Sequence, residues 1–358
     1  MTGTILGQDG SITVSDADSV LMFESFFFDR SGEGSAKLNA TRLTLETRHE
    51  AVLKPLDFLD NLVGSMDAFE LELKSLENRI ICLHSNDLLL SGSREFVERF
   101  RRAIATSKSI KVVLSIALPD SITSEQQGAE FLESHVHYGS SNGLFFGLLG
   151  PLVIDSDTSE MKLDMYLAAQ TKTGGVLLIV QVNAVDNAVH LFQSKSVDWD
   201  RILLVGLKSK ADIERFDHIA GVDVKVCVTS RPDSDMDPLQ LSKKASAELF
   251  SQLEGRSVAS TGTLFKTDHK RYGGLGVDAF PFFLRRCGLA PSGSLAATLL
   301  RFTWDPPKLA VLEQESEKWV CDVCGLTARL NEKENYTKLG FTYCSIPCLS
   351  EHRKRGYK

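Results

Sequence analysis

Along the first 270 residues, apolar positions gather into short continuous runs rather than alternating with polar ones. Eight runs have strand length: residues 19–28, 79–84, 110–118, 144–154, 176–183, 202–207, 222–229 and 263–267. Continuous runs of this size fit strands covered on both faces. Between them lie segments of helical character. In 44–76, apolar residues recur at Val52, Leu53, Leu56, Leu59, Leu62 and Val63; segments 93–106, 123–137, 158–173, 185–193, 210–219 and 238–253 follow. Strand–helix alternation predicts a parallel sheet. Eight repeats in this length match a (β/α)8 TIM barrel, with an open doubly wound sheet as the alternative. Helical segments 277–287 and 292–301 come next, and Asp305-Pro306-Pro307 stops the second, because proline cannot continue a helix. The reading is therefore an α/β barrel over 1–312, a charged linker over 313–318 and a small C-terminal module over 319–358.

Composition narrows the class. The chain has 358 residues, 43% hydrophobic and 24% charged, which excludes wholesale disorder and permits a large core without disulfides. A formal net charge of -7 argues against a general nucleic-acid or anionic-membrane binder. The charge is uneven: residues 319–358 hold 7 Lys/Arg and 4 Asp/Glu, against 33 and 43 in the rest. The N-terminus lacks a basic start with an apolar core, and no apolar stretch has bilayer-spanning length. Of seven cysteines, Cys82, Cys227 and Cys287 are scattered and four crowd the last forty residues. That distribution fits one local metal site in a reducing compartment, so the expectation is intracellular, in cytoplasm or nucleus.

The strongest local signal is Cys321-Asp-Val-Cys324, then Tyr343-Cys344-Ser-Ile-Pro-Cys348, then His352. Two cysteine pairs separated by 19 residues supply four thiolates for one tetrahedral zinc, with His352 as a further candidate. Four protein ligands leave no open coordination position, so the zinc is expected to be structural, and metal binding should largely fold so small a fragment. The tail resembles a HIT-type zinc finger through Tyr343-Cys344-Ser345, Cys348 and His352, and is also similar to MYND and TRASH-like treble-clef fingers. The second cysteine pair of the HIT-type finger is absent between Leu326 and Thr342, so the likeness is to half a finger with one metal. The resemblance implies a protein partner. His352-Arg353-Lys354-Arg355 reads as a solvated basic tail, because three adjacent cations are too few for tight phosphate binding at physiological salt.

A second resemblance covers most of residues 1–310. The stretch Leu264-Phe265-Lys266-Thr267-Asp268, followed by Gly273-Gly274-Leu275-Gly276, resembles the eighth strand and loop of the phosphotriesterase family of amidohydrolase-type barrels. Residues 280–288 and 295–309 are similar to its last helices, 3–28 to its opening strand, 145–150 with 160–174 to its fourth strand and helix, and 200–206 to its sixth strand. The family holds two divalent metals on a His-x-His, a bridging Lys or Glu, two more histidines and an Asp. The corresponding positions here carry Phe23 and Ser25, Leu148, Gln181, Leu207 and Asp268. Hydrocarbon offers no lone pair, and one carboxylate cannot hold two metals. The resemblance thus implies a metal-dependent hydrolase fold whose chemistry is lost.

Alternation on a strand ending at Asp268 would place Lys266 on the same side, where its charge replaces that of the metals. Ser25, Gln181 and Asn183 complete the expected polar ligand-binding pocket with Lys266 and Asp268. Candidate catalytic residues are Asp268, His84 and Lys266; His84 alone reads as a structural histidine, and His135-Val-His137 as a helix end. The leading expectation is a catalytically inactive barrel that acts as a protein-binding scaffold through its finger. The alternatives are a hydrolase with a rearranged single-metal site around Asp268 and His84, and a small-ligand sensor.

Overall fold

Seven of the eight apolar runs become strands of one parallel sheet. The computed structural model describes residues 2–7, 10–15, 19–27, 62–76, 79–84, 87–107, 110–119, 121–230, 239–253, 255–263, 270, 276–289, 293–300, 318–321, 323–324, 327–329, 336–338, 341–343 and 345–354. The chain divides into two compact units, Met1–Trp304 and Asp305–Lys358.

The first unit opens with an antiparallel hairpin, β1 (Thr2–Gly7) and β2 (Gly10–Ser15). Eight parallel strands follow in chain order across the sheet: β3 (Ser19–Glu24), β4 (Arg79–Leu83), β5 (Ile110–Ile116), β6 (Leu148–Ile154), β7 (Leu178–Val182), β8 (Ile202–Val205), β9 (Lys225–Thr229) and β10 (Ser257–Ser260). Helices alternate with them: α1 (Leu62–Leu73), α2 (Asp87–Leu90), α3 (Arg94–Thr106), α4 (Glu125–His137), α5 (Glu160–Lys172), α6 (Val185–Gln193), α7 (Lys210–Ala220), α8 (Leu239–Gln252), α9 (Ala279–Arg286) and α10 (Gly293–Leu300). This is a nearly closed TIM-like barrel.

Two expectations change. The residues 3–28 are not one opening strand but a hairpin followed by β3; two alternating runs with a two-residue gap between Gly7 and Gly10 carry that signal. The eighth strand is Ser257–Ser260 rather than 263–267, since the former pairs with β9 and Thr263 lies outside any strand. Lys266 and Asp268 lie outside the described residues.

Local chemistry accounts for the helices. Ser93 caps α3 by accepting from the Phe96 N–H, and Phe96, Val97, Phe100 and Ile104 make its buried stripe. Phe100 packs with Phe27 and Phe69 at ring-centroid distances of 5.4 and 5.2 Å, joining the end of β3 to α1 and α3. Each fully buried ring of this kind contributes about 1.5–3 kcal/mol. Ser209 caps α7, which ends at Gly221 in the left-handed conformation. The barrel interior is filled: Met22, Cys82, Val113, Ile179, Val205 and Cys227 form one cluster, to which α10 adds Ala296, Leu299 and Leu300.

In the second unit, β11 (Lys318–Val320) pairs with β12 (Thr327–Arg329), and β13 (Tyr336–Lys338) with β14 (Phe341–Tyr343), before helix α11 (Ile346–Lys354). A knuckle hairpin, a second hairpin and a helix make a treble clef.

Candidate functional site: a stitched barrel seam and a thiol cluster

No backbone ladder joins β3 to β10 among the described residues. Side chains close the gap. Glu24 ends β3 and is fully buried. Its Oε1 accepts from Ser260 Oγ at 2.7 Å and the Thr261 N–H at 2.8 Å, with the Gly262 N–H at 3.4 Å. Its Oε2 accepts from the Thr263 N–H at 2.9 Å and Thr263 Oγ1 at 2.7 Å. In return Ser260 Oγ accepts from the Phe23 N–H at 2.9 Å, and Thr263 Oγ1 from the Ser25 N–H at 3.4 Å. One carboxylate thus replaces a strand ladder.

Burial raises the Glu24 carboxyl pKa to about 7, against the opposing pull of its hydrogen bonds from Ser260, Thr263 and Thr261. Burial, with the Glu24 charge second, also pushes the Cys82 and Cys227 thiols up, so both stay protonated.

A second buried carboxylate stitches the following segment to α1. Glu72 Oε1 accepts from the Lys270 N–H at 2.8 Å, and Lys270 Nζ lies 3.6 Å from Oε2 and 2.5 Å from Ser75 Oγ. Gly276 has φ +81°, and a Cβ there would lie 2.5 Å from Glu72 Oε2, so glycine is needed both for the backbone and for the approach of the carboxylate. Burial raises the Glu72 carboxyl too.

His84 follows β4. Its Nε2 lies 2.7 Å from the Met22 carbonyl, to which it donates, and its Nδ1 accepts from Ser115 Oγ at 2.9 Å. Phe23 stacks on the ring at 4.7 Å. Burial lowers its pKa to about 4, so it is neutral at physiological pH. The Ser115–His84 geometry matches a nucleophile–base pair, but Ser115 is 1% and His84 0% exposed, and a base with so low a pKa is poorly matched to neutral pH.

Of the other candidates, Ser25 is buried in the seam. Gln181 follows the interior residue Ile179 by two positions on β7 and so shares its face; its Nε2 donates to Asn183 Oδ1 at 3.2 Å, and Asn183 Nδ2 to Asp155 Oδ1 at 2.8 Å. These two therefore stand together, while Ser25 is engaged by Thr263. Leu148 begins β6 inside the core cluster and Leu207 is buried just past β8. His135 Nδ1 donates to the Phe131 carbonyl at 2.8 Å, and its ring packs on Phe131. Glu24, Ser260, Thr263 and Glu72 do not figure among the sequence candidates. An acid inside the apolar run 19–28 is the signal that marks Glu24.

In the treble clef, Cys321 and Cys324 sit in the knuckle between β11 and β12, and Cys348 in α11. Their three Sγ atoms lie within 4.8 Å of one another. Zinc–sulfur bonds of ~2.3 Å in a tetrahedron place thiolates ~3.8 Å apart, so this donor set can bind a metal such as zinc. Cys344 lies outside the described residues. His352 is buried, with Nδ1 3.0 Å from Tyr343 Oη.

By fold, the first unit is a TIM-like barrel, and it is followed by a treble clef with a cysteine triad. Residues 316–358 match the Vms1-associating treble clef domain family. A resiniferatoxin-binding protein from Rhodobacter sphaeroides superposes with TM-score 0.62 at 19% identity, covering 83% of this chain and 95% of its own. The phosphotriesterase homology protein from Escherichia coli, complexed with phosphate in its active site, superposes with TM-score 0.58 at 15% identity, covering 80% and 99%. No curated protein matches the chain. Among the described residues, no helix is long and apolar enough to cross a membrane.

Proposed function

We propose that this chain is a phosphotriesterase-fold barrel without hydrolytic activity, which works as a protein-binding scaffold through its treble clef. The observation that carries the reading is how the barrel spends its polar groups. Glu24 accepts from five donors to close the seam, and both ring nitrogens of His84 are engaged by Ser115 and Met22. The neighbouring positions that the family resemblance assigns to metal ligands hold Phe23, Leu148 and Leu207. Groups committed to internal hydrogen bonds do not ionise a metal-bound water.

In the treble clef, Cys344 joins Cys321, Cys324 and Cys348 as the fourth ligand of one structural zinc. The match to a domain family named as Vms1-associating supports a protein partner for this unit. A residual polar pocket of Gln181 and Asn183, with Lys266 and Asp268, remains the place for a small ligand. The hydrogen-bonded chain Gln181–Asn183–Asp155 supports that second reading.

The test uses the full chain and its Cys321→Ser/Cys348→Ser variant. The scaffold reading expects neither protein to hydrolyse phosphotriester or carboxylic ester substrates above background, with or without added zinc or manganese. It also expects partner capture by the wild type to be lost in the variant. Chelator-sensitive hydrolysis that survives in the variant would defeat it.

A further inference from the structure

Thr263 Oγ1 lies 2.7 Å from Glu24 Oε2 and 3.5 Å from the Ser25 carbonyl, so one hydroxyl has two acceptors within reach. With Glu24 ionised, the hydroxyl donates to the carboxylate. A proton placed on Oε2 must itself find an acceptor, and Thr263 Oγ1 is the oxygen beside it. The hydroxyl then turns its own proton to the Ser25 carbonyl. The Thr263 N–H is left facing a carboxylic O–H oxygen, a weaker acceptor than a carboxylate.

From this geometry we infer that Glu24 and Thr263 form a proton switch at the barrel seam, in which proton uptake by Glu24 swings the Thr263 hydroxyl to Ser25 and loosens the turn leaving the last strand. The proton comes from solvent and returns to it; no covalent bond other than O–H changes.

The surroundings leave the carboxyl free to titrate. The titratable groups nearest it on packed strands are Cys82 on β4 and Cys227 on β9, both buried and held in the thiol form. Just past β4, His84 contributes its backbone N–H to the Glu24 carbonyl at 2.9 Å, while its neutral ring turns to Met22 and Ser115. No lysine or arginine pairs with Glu24 among the described residues, and its burial places the titration near neutrality. The turn is also tied outward: Thr261 Oγ1 donates to the Val277 carbonyl at 2.7 Å and accepts from the Phe280 N–H at 3.2 Å, so a change at residues 261–263 reaches the segment leading into α9.

The experiment is NMR of the full chain with 15N-threonine labelling, following amide shifts and exchange of Thr261 and Thr263 from pH 5 to pH 8. The expected result is one titration midpoint shared by the two amides. Thr263 exchange, corrected for its intrinsic rate, should quicken about tenfold on the acid side as a charge-assisted bond becomes a neutral one. Thr263→Val removes a donor that favours the ionised form, so the Thr261 midpoint should move to higher pH. Glu24→Gln should abolish the titration. Threonine amides flat across the range in the wild type, or an unmoved midpoint in Thr263→Val, overturn the proposal, and either result is readable even if Glu24→Gln does not fold.

Discussion

Replacing Glu24 with glutamine tests whether a buried carboxyl closes the barrel and in which protonation state. The amide keeps one carbonyl oxygen. The hydroxyls of Ser260 and Thr263 can reverse to accept from its NH2, but a backbone N–H cannot. Whichever way the amide turns, Thr261 or Thr263 loses its acceptor. A buried donor left unpaired costs about 1–3 kcal/mol. The pH dependence runs the other way. The folded pKa of Glu24 is about 7 against an ordinary 4.5, so between those values the fold holds a proton that the unfolded chain has released. Stability from this group is full below the ordinary pKa and is lost as pH rises through the folded one, ~3 kcal/mol in all. Glu24→Gln should therefore be less stable than the wild type by about 2 kcal/mol at pH 5, and the gap should close or reverse by pH 8. Urea denaturation followed by far-ultraviolet circular dichroism at several pH values measures it, with both proteins sharing every other titrating group. A gap that stays constant or widens as pH rises would mean that the carboxylate is bound as an ordinary anion, and the reasoning fails.

Other consequences can be measured in the same way. His84→Phe removes the hydrogen bonds that the ring makes to Ser115 Oγ and the Met22 carbonyl and should cost about 1–3 kcal/mol in urea denaturation. Because the folded pKa of His84 is lowered to about 4 from 6.5, it contributes stability that is present above the ordinary value and lost as pH falls through the folded one. That acid-side loss should be absent from the variant. Gly276→Ala forces a Cβ onto Glu72 Oε2 at a positive φ and should destabilise by about 1–3 kcal/mol, whereas an alanine at Gly288, with nothing within 4 Å, should carry only the backbone penalty. Tyr343→Phe removes the hydroxyl 3.0 Å from His352 Nδ1 and should lower the thermal stability of the zinc-loaded chain by about 1 kcal/mol without changing zinc stoichiometry.

Most of the barrel is legible in the residues because parallel strands buried on both faces must be apolar throughout. Val185–Gln193 carries its amphipathic stripe openly and forms α6 over those residues. The eighth strand is hidden because Ser257-Val-Ala-Ser260 is short and begins and ends in serine. Ser257 donates locally to the Leu253 carbonyl at 3.1 Å, but Ser260 is satisfied by Glu24 at 2.7 Å, a partner far off in sequence that only the closed barrel supplies. The stretch 263–267 has the better strand composition, but its first residue, Thr263, belongs to the turn that Glu24 anchors. The cysteine spacing reveals the thiol cluster directly, since Cys321 and Cys324 share one knuckle. The Tyr343–His352 pairing needs β14 and α11 to be packed before it can be seen.

The central claim is that the barrel's polar mouth groups hold the barrel together rather than a metal. Metal analysis of the full chain and of its Cys321→Ser/Cys324→Ser/Cys348→Ser variant, purified without chelator, tests this most directly. The account predicts one zinc per wild-type chain and none in the variant. A variant that retains a stoichiometric divalent metal, released when His84 is replaced, would contradict it.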